Sequence, residues 1–85
     1  MKELPIEFTG KGETKGFTFT QVAKSNHGYI YKVNTGALNH YEVFRKMVNS
    51  RFDTISFPKT NSFGIWAWTT RNPERAKQIF AELEG

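Results

Sequence analysis

Apolar and polar positions alternate through most of the chain before Pro73, at the period of β-strands. Leu4, Ile6 and Phe8 alternate with Pro5, Glu7 and Thr9, one half-buried strand. Pro5 has no amide donor, which predicts an edge position or the first residues of the strand. From Gly16 to Lys24, Phe17, Phe19 and Gln21 fall on one side and Thr18, Thr20 and Val22 on the other. From Tyr29 to Asn34, Tyr29, Tyr31 and Val33 oppose Ile30 and Lys32. From His40 to Val48, Tyr41, Val43, Arg45 and Met47 oppose Glu42, Phe44, Lys46 and Val48. The turn clusters Ser25-Asn26-His27-Gly28 and Asn34 to Asn39 are short, so neighbouring strands are expected to form an antiparallel meander.

Phe52, Ile55 and Phe57 suggest a further short strand near Thr54 to Phe57, ended by Pro58. Lys59 to Ser62 reads as a polar turn, and the simplest layout is a hairpin into a last strand from Phe63 to Thr70. In that strand Phe63, Ile65, Ala67 and Thr69 are expected on one face, and Gly64, Trp66, Trp68 and Thr70 on the other. Both faces carry large apolar groups, the pattern of a strand buried on both sides.

The period then changes from two to 3.6. Ala76, Ile79, Phe80 and Leu83 form one apolar stripe at helical spacing. Asn72 suits the N-cap and Pro73 the first helical position. The expected architecture is a single α+β domain over residues 1–85. It comprises an antiparallel β-meander sheet of five or six strands with one C-terminal α-helix on one face. The other face has three possible covers: a curl of the sheet, a partner chain or solvent.

Eighty-five residues leave room for one small core. The 15% aromatic content helps to fill it. There is no cysteine, which removes disulfides and thiolate metal sites and fits a reducing cytoplasm. No apolar run approaches the roughly 20 residues of a membrane span, and no signal peptide is evident.

The net charge of +4 is unevenly placed. Between Lys15 and Arg71 stand eight basic residues and only two acidic ones, Glu42 and Asp53. A basic sheet region points to a polyanionic partner, although a lysine excess also serves solubility. Trp66 and Trp68, if exposed on one face, would form a stacking platform for bases. The competing reading packs both indoles into the core. Lys32, Arg45, Lys46, Arg51, Lys59 and Arg71 are the candidate phosphate contacts.

The sequence offers little for catalysis. The glycine-rich loop from Gly10 to Gly16 lacks the Gly-Lys-Ser/Thr ending of a nucleotide-binding loop and joins strands. His40 and Glu42 are two apart in a strand and so share a face. They could form an acid–base pair or an ordinary polar contact. Two histidines without cysteines or an acidic cluster do not make a metal site. No catalytic residue, metal or cofactor is therefore expected.

The segments Tyr41-Glu42-Val43-Phe44 and Phe63-Gly64-Ile65-Trp66-Ala67-Trp68, with the helix bearing Ala76 and Phe80, resemble a family of short bacterial proteins often carried by phages and mobile elements. The likeness spans Tyr41 to Leu83. It implies a compact domain and transfers no functional residue, since that family has no assigned activity. A looser similarity is to WGR domains, which set an aromatic–glycine strand before a helix and contact nucleic acid. The Trp-Gly-Arg signature is absent here. The expected function is a non-enzymatic module binding nucleic acid through a basic, aromatic sheet surface. The alternative is a protein–protein interaction domain or homodimer using the uncovered face or the edge bearing Pro5.

Overall fold

Seven strands and one helix realise this pattern in the computed structural model, which describes residues 4–10, 12, 15–49, 51, 54–58 and 60–84. The strands are β1 (Glu7–Thr9), β2 (Thr18–Lys24), β3 (Gly28–Asn34), β4 (Asn39–Arg45), β5 (Met47–Asn49), β6 (Thr54–Ser56) and β7 (Ala67–Thr70). The helix α1 spans Pro73–Glu84. The main sheet runs β1-β2-β3-β4-β7, antiparallel throughout, and β5 and β6 form a separate two-stranded ribbon. The fold is the expected α+β arrangement, with β1 at one edge and β7 at the other.

The helix starts where its capping chemistry predicts. Glu74 donates its N–H to the Asn72 side-chain oxygen at 2.9 Å, which satisfies an orphan amide of the first turn. Ala76, Ile79 and Leu83 are buried against Ile30 and Val43, and Trp68, Tyr41, Ala23 and Phe80 pack around them. α1 thus rests on β3, β4 and β7.

The opposite face holds the larger core: Phe19, Tyr29, Tyr31, Val33, Phe44, Ile55 and Ala67. Its cover is the chain after β5. Phe57 stands edge-on to Phe8, Phe19, Tyr31 and Phe44, with ring centroids 5.4, 5.2, 5.7 and 5.1 Å away. T-shaped contacts of this kind add to the area that the rings bury. The sheet is therefore packed on both sides, and the uncovered aromatic face left open by the alternation is absent.

Three expectations about the later chain are corrected. The fourth strand ends at Arg45: the Lys46 N–H still donates to the carbonyl of His27, its opposite number in the β3–β4 register, at 2.8 Å, and from Met47 the chain pairs elsewhere. As a result β6 pairs with β5, not with the strand beginning at Phe63, and β7 takes the place beside β4. The last strand begins only at Ala67. Gly64 adopts φ 89°, a region costly for other residues, and Gly64 to Trp66 form a turn. Its bonds are Gly64 N–H to Ala67 O at 2.7 Å, and the Ile65 and Trp66 amides to Ser62 O at 3.1 Å each.

Candidate nucleic-acid interface

The turn at Gly64 decides where the two indoles go. Within β7, Ala67 faces the larger core and Trp68 faces the helix, by strand alternation. Trp66 lies before the strand, outside that alternation, and packs with the larger core, its ring centroid 6.5 Å from Phe44. Trp66 and Trp68 are each half-buried on opposite sides of the sheet. They do not form one platform.

Trp68 lies in the seam between β4, β7 and α1. There a cleft of about 160 Å³ is lined by Arg45, Trp68, Arg75, Ile79, Glu82 and Leu83. Each residue reaches it by simple periodicity. Tyr41, Val43 and Arg45 share the helix side of β4, and Arg75, Ile79 and Glu82 recur along one flank of α1. Ile79 and Leu83 are buried and give the cleft an apolar floor, while Arg45, Arg75 and Glu82 are exposed. The Arg75 guanidinium also donates to the Gln78 side-chain oxygen at 3.4 Å. Two guanidiniums and one carboxylate thus flank a partly accessible indole.

The other sequence candidates disperse. Lys32 is exposed on the helix side of β3, cross-strand from Tyr41 and Thr20. Arg71 is exposed just before the helix. Lys46 is half-buried at the exit from the main sheet, and Arg51 is exposed in the turn of the β5–β6 ribbon. Lys59 lies outside the described residues. Of the eight candidates, the described cleft unites Arg45 with Trp68. Arg75 is not among the sequence candidates, because the basic excess that singles them out runs only from Lys15 to Arg71. The helical spacing that buries Ile79 would have placed Arg75 one turn before it, on the same flank.

His40 and Glu42 do meet, at 3.1 Å between Nε2 and Oε2. Their side faces the larger core, since Glu42 is cross-strand from Tyr31 and His40 from Val33. The second carboxylate oxygen of Glu42 is buried without a hydrogen-bond partner. Burial raises the pKa of this carboxyl, against the opposing pull of the hydrogen bond and charge of His40. Neither described cavity is lined by either residue. Among the described residues no cluster of three or more potential metal ligands occurs, and no helix is long and apolar enough to cross a membrane. No family model matches the chain, and searches of curated proteins and of solved structures return no similar protein.

Proposed function

We propose that this protein is a non-enzymatic cytoplasmic module that binds single-stranded nucleic acid at the seam between sheet and helix. The reading rests on one observation: the half-buried Trp68 ring is flanked by Arg45 and Arg75 in a cleft floored by Ile79 and Leu83. An unpaired base stacks on the accessible flank of the indole, and the guanidiniums take the adjoining phosphates. Stacking of this kind contributes about 1 to 3 kcal/mol per base and is tolerant of sequence. In a duplex the stacked neighbouring pairs cover both faces of each base, so duplex is the poorer ligand. Glu82 at the rim sets a limit on how many phosphates approach.

Titration of labelled single- and double-stranded oligonucleotides at low salt tests the proposal. Single strands should bind more tightly and quench tryptophan emission. Trp68→Ala should weaken binding by roughly tenfold or more, the equivalent of one stacked base. Trp66→Phe should leave it unchanged. No binding at low salt, or equal losses in the two variants, defeats the reading.

A further inference from the structure

At the opposite edge of the sheet, β1 has no partner strand on its outer side among the described residues. Its ladder with β2 fixes which backbone groups point outward. Gly10 donates its N–H to Phe17 O at 2.8 Å, and Gln21 donates to Ile6 O at 2.7 Å. Antiparallel alternation therefore turns Ile6, Phe8 and Gly10 toward β2, and Glu7 and Thr9 toward the open side. Beside this edge lies a largely apolar cleft of about 460 Å³, whose walls include Phe8, Gly10, Phe57 and Pro58. Ile6, two residues before Phe8 in the bend that leads into β1, is 71% exposed.

We propose that β1 pairs antiparallel with β1 of a second copy about a two-fold axis at Phe8, joining two five-stranded sheets into one. The edge is complementary to itself in this register. Glu7 falls opposite Thr9 of the partner subunit, so both outward-facing residues exchange two backbone hydrogen bonds, four in the pair of chains. Ile6 falls opposite Gly10 of the partner subunit, on the cleft side of the sheet. Gly10 has no side chain, which leaves the space beside it for Ile6. The Glu7 carboxylates each face a threonine, not one another, so no like charges are paired. Pro5 closes the ladder: it has no N–H, and its carbonyl accepts from the Tyr31 hydroxyl. The occupant is thus a second copy of this chain, because the chain itself carries the apolar side chain at the register the cleft needs. So short a contact gives a weak, concentration-dependent dimer. It lies at the sheet edge remote from Trp68 and leaves that cleft open.

Sedimentation from micromolar to millimolar protein reads the proposal directly. The weight-average mass should climb from 9.8 kDa toward twice that value. Glu7→Pro removes an outward donor and spares the β1–β2 ladder, so it should weaken association by roughly tenfold or more while the circular dichroism stays unchanged. Ile6→Asp, at an exposed position, should do the same by placing a charge in the cleft. In this cysteine-free chain, Ile6→Cys combined with Gly10→Cys should oxidise to a covalent dimer, since positions 6 and 10 of one strand are too far apart to bridge. A mass of 9.8 kDa throughout overturns the proposal and leaves the edge to a peptide from another protein. A dimer that survives both Glu7→Pro and Ile6→Asp overturns it as well.

Discussion

Glu42 carries the least settled charge in the described molecule. One of its oxygens is held by His40, and the other is buried without a partner. The burial that raises its pKa means that the folded chain holds this proton more tightly than the unfolded chain does. The resulting stabilisation is complete below the ordinary value of 4.5 and is lost as pH rises through the higher folded value. Denaturant unfolding at a series of pH values should show stability falling over that window. Glu42→Gln should flatten the fall, and an unchanged slope would assign the effect to another group. That His40 and Glu42 share a face was legible from their spacing of two. The missing partner was not, because it depends on what the chain after β5 places over the sheet. Trp66 makes the same point. Its neighbour Trp68 follows strand alternation, but one glycine at φ 89° two residues earlier takes Trp66 out of the strand.

Elements meet closely where β3 begins. A Cβ added at Gly28 would lie 2.5 Å from Leu83 Cδ1 and 2.5 Å from the Phe44 carbonyl oxygen. The last turn of α1 and the backbone of β4 both press on this point, and only the side chain of Leu83 can yield. Gly28→Ala should therefore destabilise the fold by about 1 to 3 kcal/mol, the usual cost of overpacking. A shifted denaturation midpoint with an unchanged m-value would confirm it, and a neutral substitution would mean that both the helix end and the β4 backbone give way. The helix, with its cap and stripe, was readable because its signals are local. β2, β3 and the greater part of β4 were readable for the same reason. The β5–β6 ribbon was not. Its sequence alternates like any strand, and nothing in that alternation marks the point after Lys46 where the chain leaves β3 and β5 pairs with β6.

For the whole molecule, net charge and local charge diverge. The chain carries +4, but the described basic residues are spread over the sheet, the ribbon turn and the helix. A single strand seated at Trp68 meets two guanidiniums. The logarithm of its binding constant should then fall with the logarithm of salt concentration at a slope of about −1.4, near −0.7 per phosphate contact. Arg45→Gln should reduce the slope to about −0.7. A slope several times steeper would mean that the whole basic surface is engaged instead of one cleft. Sequence by itself determined what local periodicity can encode: the strands through β4, the capped helix, the α+β class and the excess of positive charge. Tertiary structure alone decided which chain segment covers the second face, on which side each indole stands, and which arginines come together. Those outcomes turn on contacts between residues far apart in the chain and on a single backbone angle at Gly64, and neither leaves a trace in the alternation of apolar and polar positions.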